Sequence, residues 1–180
     1  MKPLKEFTIP FVGLKDGAHH FEYEISEAFF QHFEYEDFND VNVKVNVILN
    51  KKTTLLELHF EVLGDVNINC DVTNEPFNQG IRNDFDLVVK FGNEFNDEFI
   101  DILIIPHGTH DINIQQYIYE LIVLAVPIKR IHPGVIDGTL RSDILKKLEE
   151  LSPDSHKERQ DEGDDIDPRW NTLKQLLTDK

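Results

Sequence analysis

The chain has 180 residues, 34 of them Asp or Glu and 18 Lys or Arg, for a formal net charge of −16. Such a charge repels naked nucleic acid and anionic lipid over most of a surface and makes basic molecules the natural complement, although charge by itself speaks to solubility as readily as to a partner. No apolar run reaches the roughly 18 residues that a membrane span requires, and the single cysteine, Cys70, rules out an internal disulfide.

The opening residues Met1–Glu6 lead into no apolar signal segment, which with the lone thiol predicts a reducing cytoplasm. Phe7, Ile9 and Phe11 fall on one face of a strand, and Phe21, Tyr23 and Ile25 on one face of a second, across the turn-rich stretch Gly13 to Gly17. Ser26 stands where an N-cap belongs, and Phe29, Phe30 and Phe33 follow at helical spacing. From Val41 to Leu49 valines alternate with Asn and Lys; Leu56 to Val62 alternates again, Gly64-Asp65 is read as punctuation, and Val66 to Val72 alternates a third time. The pattern predicts an antiparallel meander whose register the alternation itself fixes. Phe85 to Phe91 and Ile100 to Ile105 are further strands, the second apolar enough to suit a central position buried on both sides.

Ile118, Leu121, Ile122 and Ala125 make the segment Gln115 to Val126 the main packed helix, with Asn113 as its cap and Pro127 as its stop. Leu140, Ile144, Leu145, Leu148 and Leu151 predict a second amphipathic helix. Residues 153–166 are charged and apolar-poor, and read as a solvated linker. Residues 167–180 follow with Asp167 as cap, Pro168 at the first helical position, and Trp170, Leu173, Leu176 and Leu177 as an apolar stripe. The expected organisation is a globular sheet domain with its helix over residues 1–136, an amphipathic helix over 137–152, the acidic linker, and a terminal Trp-containing helix. The expected class is α+β: an antiparallel, strongly curved sheet, with a barrel-like form as one option, carrying the main helix and the C-terminal helices.

Few residues speak for catalysis. His107, His110 and Asp111 supply ligand types that suit zinc or iron, and would make a metal-dependent hydrolase if they converged, but Pro106 and Gly108 place them on a loop. Cys70 can be a nucleophile or ligand, or a buried inert thiol in the apolar phase of its strand. No Gly-rich phosphate loop, nucleophile elbow or His-Glu-x-x-His helix occurs. Lys129, Arg130 and His132 form a dense cationic patch after the main helix, readable as charge at a helix C-terminus or as a contact for a phosphate or acidic partner. Arg169 and Trp170 are residue types that anchor interfaces, and docking of their helix on its own domain is the alternative.

Phe7-Thr8-Ile9-Pro10-Phe11 followed by Gly13, Lys15 and Gly17, then Cys70-Asp71-Val72-Thr73, Tyr119-Glu120-Leu121-Ile122 running to Pro127 and His132, and Asp167-Pro168-Arg169-Trp170 resemble the YceD-like proteins, the large ribosomal RNA subunit accumulation proteins, over nearly the whole chain. The resemblance implies a non-enzymatic role, without a cofactor, in large-subunit RNA accumulation and ribosome assembly in a bacterial-type cytoplasm. Many members carry Cys-x-x-Cys where this chain has Cys70 and Thr73, so a metal or redox role for that motif does not carry over. Set against the acidity, the resemblance implies a partner such as a basic ribosomal protein, an assembly factor or the large-subunit precursor, with direct RNA contact confined to patches such as Lys129, Arg130 and Arg169. A general acidic adaptor for basic proteins, baited by the Asp161 to Asp167 cluster, is the rival reading.

Overall fold

A computed structural model describes residues 4–152, so the expected linker and Trp-containing helix lie outside the described residues. The chain divides into two units, Met1–Ile136 and Asp137–Lys180.

In the first unit the strands are β1 (Thr8–Pro10), β2 (Gly17–Ile25), β3 (Asp40–Lys51), β4 (Leu55–Asn69), β5 (Pro76–Gly92), β6 (Ile102–Pro106) and β7 (Asp111–Asn113). The helices there are α1 (Glu27–His32), α2 (Gln115–Ala125) and α3 (Pro133–Ile136). β2 to β6 make a five-stranded sheet in chain order, and β1 pairs with β7 in a separate two-stranded ribbon. The mixed α+β class holds. The sheet is open: β2 and β6 are its two edges rather than neighbours, so no barrel closes.

The period of two sorts the strands cleanly. Val41, Val43, Val45, Val47 and Leu49 of β3, Leu56, Leu58, Phe60 and Val62 of β4, and Leu87 and Val89 of β5 are all buried, while their alternate residues stay open or half-open. On the buried side lie Ile118, Leu121 and Ile122 of α2 and Phe29 and Phe30 of α1. Phe30 meets Phe38 edge-on at 4.9 Å, and Phe33 stacks on Tyr119 at 4.2 Å. The N-terminal segment is stitched to the start of α2: Leu4 N donates to Gln115 Oε1 at 2.6 Å, Ile114 N donates to Phe7 O at 2.9 Å, and Asn113 Nδ2 donates to Leu4 O at 3.0 Å. Asn113 Oδ1 also accepts from Gln115 N at 3.2 Å, though the N-cap of α2 is Ile114, one residue past the expected Asn113.

Four strand expectations need correcting. The third alternating run, expected through Val72, ends at Asn69, so Cys70 lies in a turn and not in a strand. Gly64-Asp65 does not break the chain, for β4 runs through it with Gly64 opposite Val43 and Ile81. Glycine is required there because a Cβ would stand 2.3 Å from Asn42 O and 2.6 Å from Val43 Cα. β5 starts at Pro76 and not near Phe85, since Asn78, Gly80 and Arg82 sit on the open face and mute the apolar signal. β6 is an edge strand, not a central one, and it runs parallel to β5. Residues 93–101 return along its outer side, where Asn96 and Ile104 exchange backbone hydrogen bonds of 3.0 and 2.8 Å. The apolar run at 100–105 is therefore only partly buried, and Ile100 is 85% exposed.

In the second unit α4 (Asp143–Leu151) is capped by Ser142, whose Oγ accepts from Ile144 N at 3.3 Å. Leu140, assigned to this helix from its spacing, lies before it.

Candidate interaction site

The hairpin between β4 and β5 is a tight turn over Cys70 to Glu75. Cys70 N donates to Glu75 O, Asn74 N donates to Cys70 O, and Asn74 takes the left-handed conformation that asparagine tolerates. Onto this turn the segment after α2 is clamped. Asp71 N donates to Arg130 O and Arg130 N donates to Asp71 Oδ2, each at 2.8 Å. His132 N points at Cys70 Sγ, 3.3 Å away. The His132 ring lies 5.5 Å from Phe77, and its Nδ1 accepts from Gly134 N at 2.9 Å, which places the ring proton of the neutral form on Nε2.

The thiol of Cys70 is buried. Burial pushes its pKa up, but the amide of His132, the Thr73 hydroxyl and the amides of Thr73 and Val72 outweigh that and hold it below the ordinary cysteine value. Thr73 is itself 2% exposed and its hydroxyl accepts from Glu75 N, so the residue that stands in place of a second cysteine serves the turn.

The sequence-predicted cations thus divide. Arg130 is half-buried and its guanidinium pairs with Asp37 at 3.3 Å. His132 is half-buried against the turn, and only Lys129 stands exposed. Arg169 and Trp170 lie outside the described residues. His107 and His110 are exposed, His107 stacks on Phe91, and Asp111 belongs to β7 opposite Pro10. No group of three or more His, Cys, Asp or Glu side chains able to hold a metal occurs among the described residues, so the hydrolase alternative gains no geometric support.

What residue-by-residue reading missed is the open face of the sheet. Across four strands Glu22 lies opposite Asn46, Asn46 opposite Glu61, and Glu61 opposite Asp84. In the next row His59 lies opposite Asp86, its Nδ1 2.6 Å from Asp86 Oδ1 and its Nε2 3.7 Å from Glu61. Like charges placed directly across a strand pair are destabilising, and the Glu61–Asp84 pair carries that cost. The signal was present in the alternation of Asp84 and Asp86 with Phe85 and Leu87. It is hard to see in a chain where carboxylates abound.

Residues 58–177, two thirds of the chain, match the family described as Large ribosomal RNA subunit accumulation protein YceD. The chain belongs to this family. The match begins within β4 and takes in β5, β6, α2 and the Cys70 turn with its clamped cationic segment. The family's description ties the chain to accumulation of the large-subunit ribosomal RNA. No curated protein and no solved structure matches it. Among the described residues no helix is long and apolar enough to cross a membrane.

Proposed function

We propose that this protein is a non-enzymatic, cytoplasmic factor of large-subunit assembly that acts by binding a basic ribosomal protein or a basic assembly factor. Membership of the family supports the process, and the acidic open face of the sheet supports this mode of action. A row that sets Glu61 against Asp84 lowers its own stability unless a cation comes to it. A net charge of −16 steers basic molecules toward the protein and holds RNA phosphates away.

Direct RNA contact is correspondingly small in this reading. Arg130 spends its charge on Asp37, which leaves Lys129 as the exposed cation of the predicted patch within the described residues. Depleting the protein from its host cell should lower the ratio of large- to small-subunit RNA, and an unchanged ratio overturns the proposal. The mode of action is tested separately by co-sedimentation with precursor large subunits. Binding should fall as salt is raised and vanish when basic proteins are stripped from the RNA; retention on bare RNA would reverse the assignment of partner.

A further inference from the structure

The stripe Tyr117, Glu120, Leu121 and Leu124 runs along one face of α2 at helical spacing. With the middle of β5 and the returning segment 93–101 it encloses a groove of about 610 Å³. Phe85, Phe95, Phe99, Tyr117 and Leu124 give it an apolar floor and walls. Three of these are left largely in water: Phe95 is 59%, Phe99 57% and Leu124 76% exposed. Contiguous exposed apolar surface of this kind marks an interaction site more often than chance.

The two phenylalanines are not displayed by a slack loop. The backbone of Asn96 is paired in both directions with Ile104, its Oδ1 accepts from Glu98 N at 3.0 Å, and its Nδ2 donates to Glu98 Oε2 at 3.3 Å. Beneath them Tyr117 lies nearly parallel to Phe85 at 6.3 Å, with Phe60 behind it at 6.0 Å. A groove whose walls are fixed before binding avoids the ordering cost that weakens flexible sites.

Its rim decides the occupant. Asp84, Asp97, Glu98 and Glu120 line the groove, and no Lys, Arg or His of the described residues does. Glu98 is bonded to the neutral amide of Asn96, and Glu120 accepts from Gln116 at 2.7 Å, so neither charge is cancelled by these contacts. Tyr117 responds to the same field: burial first, then Asp97 and Glu120, push its hydroxyl up to about 12. The chain's own tail is a poor electrostatic match, since residues 154–180 hold eight carboxylates against five Lys or Arg, and a second copy at −16 is a worse one.

We propose that this groove is the docking site for a basic segment of a partner polypeptide, with a large apolar side chain seated over Phe95, Phe99 and Leu124 and flanking Lys or Arg side chains on Asp97, Glu98 and Glu120. This rests on the reading of the protein as a binder of basic proteins and adds where that binding is specific. The open sheet face attracts; the groove selects.

The test uses the full chain and a labelled peptide of about 16 residues with Lys and Leu in helical amphipathic order, beside a Lys and Gly peptide of equal charge. The Leu-containing peptide should bind more tightly than its control. Changing Asp97→Asn, Glu98→Gln and Glu120→Gln together, or Phe99→Ser with Leu124→Ser, should weaken it by about tenfold or more. A triple change of equal charge elsewhere, Glu6→Gln, Glu27→Gln and Glu36→Gln, should move it far less. Equal losses from both triples, or no preference for the Leu-containing peptide, overturn the proposal, as does a photo-crosslinker at position 124 that reacts with the chain's own tail or a second copy. Thermal melting of each variant checks that it is folded. The underlying reading fails separately, through an unchanged RNA ratio on depletion. If depletion lowers the ratio and the groove triple restores it in full, the groove is refuted while the assembly role stands.

Discussion

The two faces of the five-stranded sheet are written in alternate residues of the same strands, and they follow opposite rules. On one, Val45, Val47, Leu49 and Phe60 are at 0% exposure and packed into a single core. On the other, Glu61 faces Asp84 and Glu22 faces the neutral Asn46, so these carboxylates gain nothing from the residue opposite, and only Asp86 finds a partner there, in His59. Stability depends on residue identity on the first face and tolerates change on the second. What is kept on the second face at a cost in stability is therefore the better guide to what the protein meets.

The comparison can be pressed hardest at Phe60, which is fully buried between the strands and Tyr117. Phe60→Ala should cost about 3–5 kcal/mol in chemical denaturation; a loss near zero would mean the core face is not what holds the sheet. Gly64→Ala comes next, at about 1–3 kcal/mol, because the new methyl meets backbone that cannot swing aside as a side chain can. On the open face the sign should reverse. Glu61→Lys turns a repulsive pair with Asp84 into an attractive one and should stabilise the protein by about 0.2–1 kcal/mol, while weakening capture of a basic peptide in a titration at low salt. Destabilisation by that change would erase the distinction between the faces.

How much of this was legible in the sequence follows from the same alternation. The valines of β3 and the leucines of β4 announced their strands because one face is wholly buried; Pro127 marked the end of α2 and Asn113 its start to within one residue, while Ser26 stands at the start of α1 without a side-chain capping hydrogen bond. Gly64 misled because a glycine that permits close backbone approach reads like one that turns the chain. The run 100–105 misled because its apolar residues serve an edge strand beside an exposed apolar loop, and composition does not separate that from deep burial. The cationic patch was visible, but the commitment of Arg130 to Asp37 was not, since 93 positions separate the two. The groove was illegible for the same reason: it joins β5, the returning segment and α2, which lie far apart in the chain.

His59 offers the smallest effect and the sharpest contrast. Its pKa is raised above the ordinary histidine value, first by its hydrogen bond to Asp86, against an opposing push from burial, with Glu61 adding to the rise. A raised value in the folded protein means that its stabilisation is fully present below about pH 6.5, the unfolded value, and is lost as pH climbs through the folded one. With the side chain 36% exposed, solvent holds this below about 1 kcal/mol. Affinity for a basic peptide should move the other way over the same window, because deprotonation removes a positive charge in contact with Asp86 and leaves the row at Glu61 and Asp84 more negative. Stability falling slightly as binding tightens, with both trends flattened in His59→Gln, is the expected result from paired melting and titration series. Trends of the same sign, or trends that persist without His59, would show that this histidine does not link the open face to pH.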